Sequence, residues 1–130
     1  MKFFNVNVFK HKEIFDDIHR YENEKWAIQG ALKSDEPVHV LLVGPPGLGK
    51  TRFLKAIEKE YGNKSYFALS NATTSAGIIN QCFEKKPRYL LLDEIEEMSP
   101  QAQASILPLL QDGKLVETQC RIQMYCNCNL

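Results

Sequence analysis

From about residue 15 onward the apolar residues recur in two alternating rhythms, one helical and one strand-like. Such alternation predicts an α/β fold built on a parallel sheet. The spacing predicts a helix over residues 21–34, with Trp26, Ile28, Ala31 and Leu32 as an uneven apolar face. The "DEP" at 35–37 ends it, since a proline disfavours helix in the residue before it. "VHVLLVG" (38–44) is a continuous apolar run, the pattern of a strand covered on both faces.

After a glycine-rich stretch, Phe53, Leu54, Ile57 and Tyr61 return at helical spacing, and Gly62 supplies a stop. "SYFALS" (65–70) predicts a second strand. Ile78, Ile79, Cys82 and Phe83 share the next helical face, with Thr74 or Ser75 as its cap. "RYLLLDEI" (88–95) reads as a third buried strand that ends in acids. Ser99 and Pro100 form a helix start, a capping hydroxyl followed by a proline in the first turn. Ala102, Ile106, Leu109 and Leu110 continue that helix to Asp112 and Gly113, and Pro108 is expected to kink it or cut it short. The remainder has β-type composition and predicts a hairpin and a fourth strand. Ahead of all this, Phe4, Val6 and Val8 alternate in a way that fits either a short strand or a loose terminus, so residues 1–14 are set apart as an N-terminal segment.

Composition changes this picture little. A chain of 130 residues fits one domain with a core of its own. Its sixteen basic and sixteen acidic residues cancel, so no strong basic field marks it as a nucleic-acid binder. No apolar run approaches a membrane span, and the start lacks the uninterrupted apolar stretch and small-residue cleavage site of a signal peptide. A cytoplasmic location without membrane contact is the expectation. Of the four cysteines (82, 120, 126 and 128), the last two form "CNC". Their spacing does not match the usual zinc pair and no histidine follows His39, so reduced thiols are the better reading.

The chemistry concentrates in two places. Gly44-Pro45-Pro46-Gly47-Leu48-Gly49-Lys50-Thr51 matches the phosphate-loop pattern G-x4-G-K-[ST] in full. Glycines let successive N–H groups curl around a phosphate without a Cβ in the way, and the helix that follows adds its positive end. Lys50 is then placed for the β and γ phosphates, and the Thr51 hydroxyl for Mg²⁺. The pattern arises by chance in roughly one chain of this size in several hundred, and here it also lies between a buried strand and an amphipathic helix. About forty residues on, "YLLLDEIEEM" puts Asp93 at the carboxyl end of a strand, where it can hold the shell of Mg²⁺. Glu94 beside it is positioned to orient or deprotonate a water, while Glu96 and Glu97 read as a solvated acidic turn.

Together these motifs resemble the AAA+ ATPase family: "GPPGLGKT" has its double-proline loop, and "LLLDEIEEMS" looks like its hhhhDE box. "FDDIHRYENEK" (15–25) is similar to the segment that in the family lies against adenine, where Ile18, His19 or Tyr21 would contact the base, although Arg20 stands where the family often has glycine. "SPQAQASILPLLQDGKLVE" resembles the helix and hairpin of RuvB-type branch-migration motors and MCM-like helicases. The resemblance implies a P-loop NTPase fold of three α/β/α layers, with residues 15–130 as a partial nucleotide-binding domain. It also implies ATP and Mg²⁺ as cofactors, ATP hydrolysis, assembly into a homo-oligomeric ring, and remodelling of DNA or of protein assemblies. A sensor asparagine would fall at Asn127 or Asn129.

In that family a fifth strand, an arginine finger and a helical lid follow the sensor. The sequence in hand reaches only Leu130, so the expectation is an incomplete core with weak turnover. Such a finger contributes on the order of a thousandfold or more in rate. Two functions compete, an ATPase core of a remodelling ring and a nucleotide-binding or regulatory module without useful turnover. A small nucleotide kinase fits less well, because the pair Asp93-Glu94 favours activated water over a phosphate-accepting substrate.

Overall fold

The computed structural model describes residues 14–112, 114–115, 118–119 and 122–126. The N-terminal alternation (Phe4, Val6, Val8), Cys120, Cys128 and the two sensor candidates, Asn127 and Asn129, lie outside the described residues.

Helix α1 (Glu22–Lys33) leads into strand β1 (Val38–Leu42), and α2 (Lys50–Tyr61) follows the glycine loop. Next come β2 (Ser65–Leu69), α3 (Ser75–Lys85), β3 (Tyr89–Asp93) and α4 (Pro100–Asp112). Three strands follow: β4 (Lys114–Leu115) and β5 (Thr118–Gln119) pair antiparallel, and β6 (Ile122–Cys126) joins the main sheet. That sheet has the order β1-β6-β3-β2, with every pairing parallel. The expected fourth strand therefore inserts between β1 and β3 rather than adding at an edge.

Strand alternation sorts the core into two layers. On one face Tyr89 and Leu91 of β3 meet Ile28 and Leu32 of α1, Phe53, Leu54 and Ile57 of α2, and Phe15 and Ile18 of the entry segment. On the other face Leu90 and Leu92 meet Ala68, Ile78, Cys82, Met98 and Ile106. The result is a three-layer α/β/α arrangement with β3 buried along its whole length. Leu91→Ala is expected to cost about 2–5 kcal/mol through lost transfer energy and a residual cavity, visible as a lower urea midpoint at unchanged slope. At its β2 edge the sheet is shielded by charge: Lys55 lies 3.7 Å over the Phe67 ring and Lys85 lies 4.9 Å over that of Tyr66.

Helix ends follow local chemistry. Thr74, not Ser75, caps α3, its hydroxyl oxygen accepting from the Gly77 N–H. The Ser99 hydroxyl does the same for the Ala102 N–H at the start of α4. Gly62 closes α2 with φ 51°, its N–H donating to the Glu58 carbonyl.

Four sequence expectations need correction. Strand β1 is not covered on both faces: Val38, Val40 and Leu42 are half-buried, while His39 and Leu41 on the opposite face are exposed, because only one face of this strand meets a core cluster. Trp26 does not share the buried face of α1 and is 79% exposed. It stands two residues before Ile28, about 200° around a helix, whereas Ala31 and Leu32 return to the Ile28 side. Phe83 likewise leaves the face of Ile78 and Cys82 and is exposed. Pro108 does not cut α4 short, for the helix runs on to Asp112. Pro108 is exposed, so water can serve the carbonyl that its missing N–H leaves without a donor.

Candidate functional site

The loop between β1 and α2 is shaped by two glycines in the left-handed region, Gly47 at φ 83° and Gly49 at φ 84°. L side chains are strained there, which makes these two positions glycine for backbone reasons. Gly49 is also the N-cap of α2 and offers no side-chain acceptor. The first-turn N–H groups of α2 are therefore uncapped by any side chain and form a donor set at the positive end of a helix.

Lys50 opens that helix, and its ammonium turns back over the loop, donating to the Gly44 carbonyl and, at 3.0 Å, to the Pro45 carbonyl. The cation is thus held at the mouth of its own loop. The cavity there is about 400 Å³ and is lined by residues 46–51 together with Asp93 and Glu94. All the residues singled out by sequence as phosphate, metal and water-handling groups are in it or on the loop that forms it.

One hydrogen bond joins the two motifs. The Thr51 hydroxyl donates to Asp93 Oδ2 at 2.8 Å, across 42 residues of sequence. Asp93 is only 4% exposed, and its other oxygen accepts from the Glu94 N–H at 3.0 Å. The carboxylate is therefore oriented at both oxygens. Its carbonyl is tied as well, accepting from the Ser70 N–H at 2.9 Å. Among the described residues no group of three His, Cys, Asp or Glu is placed to hold a metal by protein ligands alone. A single hydroxyl and a single carboxylate suit Mg²⁺, which takes few protein ligands and fills its shell with water and phosphate oxygens.

Glu94 carries the strain of the site. Its backbone is left-handed at φ 55°, a conformation that a non-glycine residue rarely adopts and that clusters at functional sites. It caps a short 3-10 turn, Ile95–Glu97, and one of its carboxylate oxygens, Oε2, is buried without a hydrogen-bond partner. Glu97 is exposed, as an acidic turn predicts, whereas Glu96 is half-buried.

The entry segment contributes a feature that the sequence did not single out. Arg20 and Tyr21 are both left-handed, at φ 71° and 64°, so the chain turns sharply into α1 without a glycine. Ile18 is buried in the core and Tyr21 packs edge-on against Phe53 at 6.2 Å, while His19 is exposed. The Arg52 guanidinium donates to the Asp17 carbonyl at 2.8 Å, tying this segment to α2. Nothing in the local pattern marks that bond, because its partners lie 35 residues apart. Two phenols elsewhere have raised pKa values: burial raises Tyr61, with Tyr89 adding to it, and burial raises Tyr66, with Cys82 adding to it. Both belong to the packing around the sheet rather than to this cavity.

Comparison with known proteins bears on this geometry. The family described as "ATPase family associated with various cellular activities (AAA)" matches residues 40–127. Among solved structures, the RuvB Holliday junction branch migration motor of Thermotoga maritima shares the fold, with a TM-score of 0.60 at 21% identity. The match covers 80% of this chain and 36% of that one, so the chain spans about a third of the motor's length.

Proposed function

Because the chain belongs to the AAA family of ATPases, we propose that it binds Mg·ATP in the cavity between the glycine loop and the end of β3, and hydrolyses it there with Glu94 as the water-orienting base. The observation that carries this reading is the 2.8 Å bond from Thr51 to Asp93. It brings the hydroxyl and the carboxylate of two distant motifs together beside Lys50 and the uncapped N–H groups of α2.

In this reading the N–H groups of residues 47–51 and the Lys50 ammonium grip the β and γ phosphates. Lys50 exchanges the Gly44 and Pro45 carbonyls for phosphate oxygens, trading neutral acceptors for charged ones, which make the stronger hydrogen bonds. Thr51 and Asp93 hold Mg²⁺, with Asp93 kept in orientation by the Glu94 N–H. Glu94 accepts a proton from a water aligned with the γ phosphate. When bound, ATP would supply the electrophilic phosphoryl group and Mg²⁺ would neutralise charge on its oxygens. Gly44, Pro45, Pro46, Gly47, Leu48 and Gly49 contribute backbone shape rather than side-chain chemistry.

Thr51→Ala tests the metal assignment. It removes one metal ligand and the partner of Asp93, and is expected to reduce the Mg²⁺-dependent gain in ATP affinity roughly tenfold or more. Equal Mg²⁺ dependence in the variant and the parent, measured by fluorescent-nucleotide titration, would remove Thr51 as a ligand.

A second reading, nucleotide binding without useful turnover, draws on one observation: no arginine lines this cavity among the described residues. Its test is multiple-turnover phosphate release, which that reading expects to be absent under conditions of full ATP occupancy. We further propose that residues 15–130 act as the nucleotide-binding unit and associate into a homo-oligomer. DNA remodelling is the corresponding proposal from the likeness to a Holliday junction motor. No described helix is long and apolar enough to cross a membrane, and a cytoplasmic site of action is proposed on the family reading. Light scattering with and without ATP tests the assembly, since a strictly monomeric species in both states contradicts it.

A further inference from the structure

Arg52 touches two parts of the molecule that the sequence keeps apart. It follows Thr51 in the first turn of α2, and its backbone N–H donates to the Gly49 carbonyl at 3.0 Å. Its stem lies along the phosphate loop, where a Cβ on Gly49 would meet Arg52 Cδ at 3.6 Å. From there the guanidinium donates to the Asp17 carbonyl at 2.8 Å. The side chain is a strut between the left-handed end of the loop and the entry segment.

The entry segment needs such a tie. A cavity of about 430 Å³ lies between Ile14, Asp17 and Ile18 on one side and α2 from Arg52 onward on the other, so the two elements are not close-packed there. Arg20 and Tyr21, which lead from the segment into α1, are both left-handed without being glycine. Such backbone is unfavourable for an L residue and persists where neighbouring contacts hold it. Two consecutive residues of α2 supply contacts of that kind. Phe53 is buried, and its ring meets Phe15 at 5.1 Å and Tyr21 at 6.2 Å. Arg52 is exposed and belongs to neither core cluster, so its bond to Asp17 is not a by-product of core packing. Lys55, one turn on, is already engaged with Glu58 at 3.1 Å and with the Phe67 ring.

We propose that Arg52 is a positioning residue for the nucleotide site, coupling the docking of residues 15–21 to the backbone of the phosphate loop at Gly49. This coupling presupposes that the phosphate-loop cavity binds Mg·ATP. A docked segment fixes the guanidinium, the fixed stem holds Gly49, and the loop N–H groups keep the arrangement that grips phosphate. The effect is reciprocal: whatever factor the docked segment adds to nucleotide affinity, bound nucleotide adds to docking.

The test compares the intact parent chain with Arg52→Ala and Arg52→Lys, reading Mg·ATP affinity by calorimetry and amide hydrogen exchange over residues 15–21. In the parent, saturating Mg·ATP is expected to slow exchange there several-fold. Arg52→Ala should weaken Mg·ATP binding by a matching several-fold factor, the scale of one charge-assisted hydrogen bond in contact with water, and abolish the nucleotide-dependent slowing. Arg52→Lys, which keeps a cationic donor on a long stem, should recover part of both. A purely structural arginine predicts something else: a lower urea midpoint in Arg52→Ala, with affinity and nucleotide-dependent slowing unchanged. That result would overturn the coupling, as would exchange at 15–21 that ignores Mg·ATP in a parent that binds it. A parent without saturable Mg·ATP binding is a distinct outcome, which removes the nucleotide site itself and the coupling with it.

Discussion

Lys50→Ala is expected to lower the affinity for Mg·ATP on the order of a hundredfold or more, the equivalent of two charge-assisted contacts to phosphate. Among the described residues the cavity is otherwise lined by loop residues, Thr51 and two acids, so Lys50 is the only cation they place there. The alanine also loses the bonds to the Gly44 and Pro45 carbonyls, which hold the lysine across the loop. In the proposed complex Lys50 exchanges both for phosphate oxygens, so the loss of these two bonds bears on the free loop alone. The fold should survive, since the core clusters on the two faces of the sheet do not include Lys50. Circular dichroism checks this before affinity is compared.

Glu94→Gln is expected to keep ATP binding within a few-fold of the parent and to slow phosphate release by about 10²–10⁴. Gln preserves the side-chain length and the left-handed backbone at φ 55°, so the turn into Ile95–Glu97 persists. What disappears is a proton acceptor beside Asp93. The Asp93 carboxylate is not a ready substitute, because in the proposed site it is committed to Mg²⁺ and oriented by Thr51 and the Glu94 N–H. Single-turnover kinetics at saturating ATP reads the chemical step directly, and an unchanged rate would remove Glu94 from it.

How much of this was legible in the sequence depends on how local the cause is. The phosphate loop and the helix after it could be read residue by residue, because Gly47 and Gly49 answer to their own backbone angles and the 53/54/57 spacing to one helix. The burial of β3 followed from an unbroken apolar run, and Asp93 at its end from the switch to acids. Where a contact partner lies far away in sequence, the pattern fell silent. Nothing in "RIQMYC" says that its strand enters between β1 and β3, since parallel pairing is decided by strands more than thirty residues away. Trp26 and Phe83 were misplaced because apolarity was counted without its angular position. The left-handed pair Arg20 and Tyr21 escaped for a different reason, as neither residue type advertises positive φ.

The central claim is that one Mg·ATP site is assembled from the glycine loop and the end of β3. Isothermal titration of Mg·ATP into the intact chain tests it most directly. The account predicts saturable binding of one nucleotide per chain, competed by ADP, and lost together with its heat in folded Lys50→Ala protein. Absence of saturable heat up to about millimolar nucleotide, or an identical isotherm in the lysine variant, would contradict it.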